Sequence, residues 1–234
     1  MKLSVVLPCF NEEKNAERIE MELLPGLDRL GPDYEVIAVD DGSTDGTADV
    51  LSALSRKNPK VRVTRHETNQ GLGQAVRTGI SQSMGEAVLT LDADFTFHPN
   101  QIPELWKRYQ SGDADCVIGS PYLGRLENVP LNRKVLSWGG NLVYKILLGQ
   151  KITAVSPIFR IYKAEKLKKL ELSSTDFDIN AEILFKLLQN GTRIVEIPAV
   201  LTTRIYGYSK LKKFRAISRH LGLLFKILLW RIAH

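Results

Sequence analysis

Apolar segments of strand length alternate with helix-forming segments through the first 119 residues, and this alternation confines the chain to one kind of architecture. Residues 3–7 read as a first buried strand that ends at Pro8 and turns through Cys9, Phe10, Asn11 and Glu12. A helix is expected from Glu13 to Leu24, closed by Pro25 and Gly26. Residues 34–39 form a second strand, stopped by the turn formers and N-caps of residues 40–47, and a helix follows from Ala48. Residues 61–65 are a third, short strand, and Asn69 to Gly73 lead into a helix through Ser83. A strand beginning at Ala87, a helix around residues 102–109 and a strand over 115–119 continue the pattern. Strand, helix, strand, helix predicts a parallel sheet covered on both faces. In such sheets ligands collect beyond the carboxyl ends of the strands, where the loops 8–12, 40–47 and 92–94 would lie together.

The strand from Ala87 runs into Asp92, Ala93 and Asp94. On an extended strand alternate side chains share a face, so the two carboxylates would project the same way. Such a pair needs a cation between its members, and oxygen ligands of this kind suit Mg²⁺ or Mn²⁺ completed by a substrate's phosphates. Asp92 and Asp94 read equally well as caps of a helix beginning near Pro99, and spacing alone leaves the two readings level.

With 234 residues the chain could be one large α/β domain or two small ones, and neither a linker nor a repeat divides it. Cys9 and Cys116 lie inside apolar segments without a second Cys or His at metal spacing, as reduced core residues of a cytosolic protein would. The net charge of +6 is concentrated from Lys145 onward, which suggests an anionic partner: nucleic acid, phosphorylated substrate or membrane surface. The opening residues read as a strand and not as a signal peptide, and the most apolar late stretch, 220–233, is interrupted by Lys226 and Arg231 and too short to span a bilayer.

No strand-end loop carries a dinucleotide-binding or P-loop pattern. Instead Val-Val-Leu-Pro-Cys-Phe-Asn-Glu-Glu (5–13), Val-Asp-Asp-Gly-Ser-Thr-Asp-Gly-Thr (39–47), Asn-Gln-Gly-Leu-Gly-Gln-Ala (69–75) and Leu-Asp-Ala-Asp (91–94) closely resemble the inverting family 2 glycosyltransferases. Within that family, residues 125–149 and the later Arg204 to Lys210 resemble the dolichol-phosphate mannose synthase and polyprenyl-phosphate glycosyltransferase branch. The resemblance implies an α/β GT-A fold, Rossmann-like, with a mostly parallel sheet, helices on both faces and C-terminal amphipathic helices. The GT-A domain would span 1–210, with an acceptor- and membrane-facing helix within 125–150, and 211–234 would lie on the membrane.

The implied donor is a GDP- or UDP-sugar. Pro8, Cys9 and Phe10 would line the base, Glu12 would hold the ribose, and Asp40 or Asp41 would accept from the base edge, with Gly71 and Ala93 also at the donor. By itself the loop allows Asp40 and Asp45 to be ordinary turn and N-cap residues. Asp92 and Asp94 would hold Mg²⁺ or Mn²⁺ on the diphosphate as the catalytic carboxylates, Asp94 being the closer ligand. A polyprenyl phosphate acceptor is already anionic and needs no general base. It would need Arg204, Ser209 and Lys210, with Arg133 or Lys134 adding to the charge.

Two positions depart from the pattern. Pro121 stands where many relatives have Arg, and Ala154 where many have Asp, so either the substrate differs, or neighbours such as Arg125 and Asp176 or Asp178 substitute, or activity is reduced. The alternatives are transfer to a saccharide or protein hydroxyl, or a catalytically impaired sugar-nucleotide-binding protein. Residues 131–148 and 215–233 each carry an apolar stripe among basic residues, as helices lying on an anionic bilayer do, although core-packing helices show the same stripe. The expected location is cytoplasmic, peripheral on the inner face of the cell membrane, with a membrane protein as a further candidate partner. Nucleic acid is not an expected partner, because the basic residues interleave with aliphatic and not with stacking aromatic side chains.

Overall fold

The computed structural model describes residues 2–31, 33–207 and 213–233. Its strands are β1 (Leu3–Cys9), β2 (Tyr34–Asp40), β3 (Val61–Arg65), β4 (Ala87–Thr90), β5 (Cys116–Leu126), β6 (Arg160–Lys163) and β7 (Ile194–Leu201). The helices are α1 (Glu13–Arg18), α2 (Leu24–Leu30), α3 (Thr47–Lys57), α4 (Leu72–Gln82), α5 (Ile102–Gln110), α6 (Leu131–Leu148), α7 (Ala164–Lys168), α8 (Ile179–Gln189) and α9 (Lys213–Ala233).

The described strands form one sheet in the order β3-β2-β1-β4-β6-β5-β7. All seven residues of β1 and of β2 are buried, as expected of apolar strands covered on both faces. The first three strands run parallel and step towards one edge; α4 then carries the chain back across β2 and β1, so that β4 pairs with β1 on its other side. This reversal creates the switch point at which open α/β sheets bind ligands. Cys9 stands opposite Asp40 and Val6 opposite Thr90, so the carboxyl ends of β1, β2 and β4 open onto one place. Helix α4 lies so close to the sheet that a Cβ on Gly79 would come within 2.3 Å of Val6 Cγ1.

The sheet is mixed, not uniformly parallel: β6 runs antiparallel between β4 and β5, while β7 pairs parallel with β5. The helix that starts at Glu13 does not stop at Pro25 and Gly26. It passes through a π-helical segment, Ile19–Leu23, into α2, with Pro25 just beyond the π-helical segment. Two large clusters make the core. One buries Ile19, Leu23, Leu27 and Trp106, and the other buries Val76, Ile80, Leu184, Leu223 and Ile227. Leu223 and Ile227 belong to α9, so that helix packs on the domain with one face and leaves Leu221, Phe225, Leu228, Leu229 and Ile232 exposed. No helix among the described residues is long and apolar enough to cross a membrane.

Candidate active site

The loop after β1 is stitched to the loop after β2. Asn11, at a φ of 52°, donates its N–H to Ser43 Oγ (2.9 Å) and accepts from Thr44 N–H (2.7 Å), while Glu12 N–H donates to Thr47 Oγ1 (2.8 Å). Asp40 is wholly buried beneath this junction, where its carboxylate accepts from Ser43 N–H and pairs with Arg65 at 3.2 Å. Its neighbour Asp41 faces the other way and lines the cavity. Asp41 Oδ1 takes His66 Nδ1 (2.7 Å) and Gln70 N–H (3.0 Å), and Oδ2 takes the Asn69 amide (2.9 Å) and Gly71 N–H (2.8 Å). Asp41 therefore shapes the 69–71 loop, with both oxygens in use.

Asp92 and Asp94 do not share a strand face. β4 ends at Thr90, and the two residues lie in a tight turn that Phe95 N–H closes on Asp92 O at 3.2 Å, with Phe95 at a φ of 52°. The turn needs its carbonyls elsewhere, so pleated geometry gives way, and it is the curl of the turn that brings both carboxylates to the cavity. Arg18 holds it from behind, donating to Asp94 O (3.1 Å) and lying over the Phe95 ring at 5.1 Å. Asp94 Oδ1 accepts from Thr96 N–H (3.0 Å), and Oδ2 pairs with Arg204 at 2.8 Å; Arg204 also stands 3.6 Å from Glu12. Burial, then the charge of Asp94, pushes the Asp92 carboxyl far above the ordinary carboxylate range. The helical turn at Pro99 is capped by His98, whose ring accepts from Asn100 N–H, so capping is not the role of the acidic pair.

These residues surround a cavity of about 460 Å³. Pro8, Cys9, Phe10, Glu12, Asp41, Gly71, Asp92, Ala93, Asp94 and Arg204, all singled out in the sequence, line it; Asp40 does not. Ser209 and Lys210 lie outside the described residues, as does the side chain of Arg133. Asn69, Gln70, Phe177 and Arg219 were not foreseen, and Asp176 joins them on the wall. That wall is fixed to the start of α4 by Gly73 N–H donating to Thr175 O at 3.0 Å; a Cβ on Gly71 would lie 2.3 Å from the same oxygen.

The two departures fall away from the cavity. Pro121 and Ala154 are both buried. Ala154 O accepts from Arg160, and Glu196 of β7 supplies the carboxylate of this region, accepting from Ala154 N–H (2.8 Å), Thr153 N–H (2.8 Å) and Thr153 Oγ1 (3.0 Å). Asp178 is buried against Ser174.

A sheet of this order with paired carboxylates beyond β4 defines a GT-A-type nucleotide-sugar transferase. The chain belongs to glycosyl transferase family 2, whose profile matches residues 4–171, and it is a glycosyltransferase. The dolichol-phosphate mannosyltransferase of Pyrococcus furiosus is 34% identical over 98% of this chain, which spans only 64% of that protein. The undecaprenyl-phosphate mannosyltransferase of Micrococcus luteus is 32% identical over 90% of this chain and 88% of its own length. Among solved structures, the glucosyl-3-phosphoglycerate synthase of Mycobacterium tuberculosis with Mn²⁺, UDP and phosphoglyceric acid superposes with a TM-score of 0.75 at 22% identity, covering 97% of this chain and 78% of that one. Its complex with Mn²⁺, UDP-glucose and phosphoglyceric acid gives 0.71 at 22%, covering 98% and 79%.

These structures overturn the finer expectation. The architecture shared along almost the whole chain holds phosphoglyceric acid in the synthases, so placement in the polyprenyl-phosphate branch, with polyprenyl phosphate as acceptor, does not stand. The physical reason is where its evidence lies: of the residues that carried it, Arg204 alone among those described lines the cavity.

Proposed function

We propose that this chain transfers a sugar from a nucleoside-diphosphate sugar to a hydroxyl of a small phosphorylated acceptor, with Asp92 and Asp94 holding Mg²⁺ or Mn²⁺. The observation that carries this reading is the charge of the cavity: five carboxylates (Glu12, Asp41, Asp92, Asp94 and Asp176) face two guanidinium groups, Arg204 and Arg219. A space so short of positive charge suits a divalent ion, and the Asp92 carboxyl is raised there by burial first and then by the charge of Asp94. No three His, Cys, Asp or Glu side chains converge as a metal cage among the described residues, so two carboxylates would be completed by donor phosphates. The ion's chemistry there is to neutralise the charge that builds on the leaving diphosphate. Pro8, Cys9 and Phe10 would bound the base, Glu12 the ribose, and Gly71 and Ala93 would lie beside the donor. Asp41 would act by ordering the 69–71 loop and Arg204 by meeting phosphate, for which it must leave Asp94. A phosphorylated acceptor is favoured because the relatives' acceptors named above, phosphoglyceric acid and the lipid phosphates alike, carry that group.

The test is calorimetric titration of UDP-glucose and GDP-mannose with and without Mn²⁺, followed by transfer to 3-phosphoglyceric acid. Metal-dependent donor binding and a glycosylated product are expected. Binding of neither donor under any metal condition would overturn the reading. The exposed apolar face of α9 and the exposed Leu142, Val143 and Ile146 of α6 further support peripheral placement on a membrane surface, with α9 as a main contact; the cytoplasmic side of that membrane is part of the same proposal.

A further inference from the structure

We infer that His66 is a positioning residue for the sugar-nucleotide donor: it aims the Asp41 carboxylate so that the 69–71 loop meets the donor in one shape. This rests on the cavity being a sugar-nucleotide site. His66 follows β3 directly, is buried and does not line the cavity, so it can act on the donor only through its neighbours. Its Nδ1 stands 2.7 Å from Asp41 Oδ1, and its Nε2 stands 3.0 Å from Thr78 Oγ1 on α4. A carboxylate only accepts, so Nδ1 carries the hydrogen of the first bond; with the ring neutral, Nε2 then accepts from the Thr78 hydroxyl. The tautomer and the tilt of the ring are thereby set from both sides.

The relay closes on itself. The other donors to Asp41 are Gln70 N–H (3.0 Å), Gly71 N–H (2.8 Å) and the Asn69 amide (2.9 Å), and Gly71 opens α4, the helix that carries Thr78. Residues 66–71 are therefore a short loop held to one helix at both ends, at Thr78 through the His66 ring and at Gly71 through the chain. The loop also lies directly on the turn after β2: a Cβ on Gly42, whose φ is 70°, would come 2.4 Å from Thr68 C and 2.6 Å from Asn69 N. His66 N–H adds a 2.9 Å bond to Asp40 O. Of the four groups that donate to the Asp41 carboxylate, His66 alone comes from outside the 69–71 loop, so it is the one that fixes the carboxylate and the loop relative to the sheet. Without it Asp41 and its three remaining donors can shift together, and Asn69, Gln70 and Gly71 all line the cavity. No hydrogen bond among the described residues joins this relay to Asp92 or Asp94, so its effect falls on the nucleotide and not on the metal.

The test titrates UDP-glucose and GDP-mannose, with and without Mn²⁺, into the unmodified protein and three variants. In His66→Asn the amide nitrogen takes the place of Nδ1 and still reaches Asp41; in His66→Gln it takes the place of Nε2 and reaches only Thr78. Donor affinity should fall at least tenfold in His66→Gln and stay within threefold of the unmodified protein in His66→Asn. His66→Leu, which donates to neither neighbour, should match His66→Gln, so if one of them fails to fold the other decides. In every variant the factor by which Mn²⁺ strengthens donor binding should equal that of the unmodified protein. His66→Gln combined with Asp41→Ala should lose no more affinity than Asp41→Ala alone, because His66 acts through that carboxylate. Equal affinities in His66→Asn and His66→Gln, or losses that follow melting temperature across the variants, would mean that the imidazole only packs and would overturn the inference. A loss confined to the Mn²⁺-bound form would overturn it as well. An unmodified chain that binds neither donor takes the broader reading down with this one, whereas a chain that binds donor and is indifferent to His66→Gln overturns this one alone.

Discussion

Asp40 and Asp41 are neighbours with opposite roles because β2 ends between them: the last strand residue turns into the sheet junction and the next turns out to the cavity. Removing Asp41 would strand the N–H groups of Gln70 and Gly71, so Asp41→Ala should cost about 1–3 kcal/mol in denaturant unfolding and weaken donor binding through the loosened loop. Asp94→Asn differs, since an amide oxygen can still accept from Thr96 N–H while the charge facing Arg204 is lost. Its melting temperature should stay within a few degrees, while metal-dependent donor affinity falls tenfold or more by titration. A variant with undiminished metal dependence would take Asp94 out of the metal site. The lining of the cavity was legible in the sequence because its residues stand in contiguous motifs at strand ends. Arg219 was not, since along α9 it reads as one of several basic residues, and only packing shows which of them turns to the cavity. Nor was Glu196, which serves the loop of Ala154 from 42 positions away and leaves no local pattern.

At the level of elements, the parallel half of the sheet was readable because fully buried strands are continuous apolar runs. β6 has four residues and β7 is half-covered and interrupted by Glu196 and Pro198, so neither carries a clear period. The closeness of α4 to β1 is written in Gly79 alone. Gly79→Ala should destabilise by about 1–3 kcal/mol from overpacking against Val6, although alanine is the better helix former. Helix α8 is held by Glu182. Burial opposes its charge, but the N–H of Ser174, Lys186, and the N–H and hydroxyl of Ser173 outweigh that and lower its carboxyl from 4.5 to about 2. A depressed carboxyl stabilises the fold above its unfolded value and loses that contribution as pH falls through the folded one. Here the contribution is about 3 kcal/mol at neutral pH, fading between about pH 5 and pH 2. Urea midpoints of the unmodified chain and Glu182→Gln should therefore lie apart at pH 7 and converge as the pH falls towards 2; a constant gap would mean that the carboxylate's charge is not what holds the Ser173 and Ser174 loop.

For the whole molecule, the stripes of residues 131–148 and 215–233 fit core packing and surface binding alike, and α9 buries one face in the core while leaving another exposed. Ile227 is wholly buried and Leu223 nearly so within the cluster that also holds Val76 and Leu184, whereas Phe225, Leu228 and Leu229 face outward beside Lys226. Arg231 ties the far end of α9 to α6 by donating to Ile146 O (2.8 Å) and Leu147 O (3.0 Å), so the two helices present their outward side chains from one joined surface. The faces predict opposite phenotypes. Ile227→Ala removes buried methylenes and should cost about 2–5 kcal/mol in unfolding, with vesicle binding unchanged while the protein is folded. Phe225→Ser should leave unfolding within about 0.5 kcal/mol and lower sedimentation with anionic vesicles, a loss that added salt deepens by screening the basic side chains. If Phe225→Ser instead lowers stability while vesicle recovery stays constant, the outward face is covered by protein, and α9 is wholly a core helix.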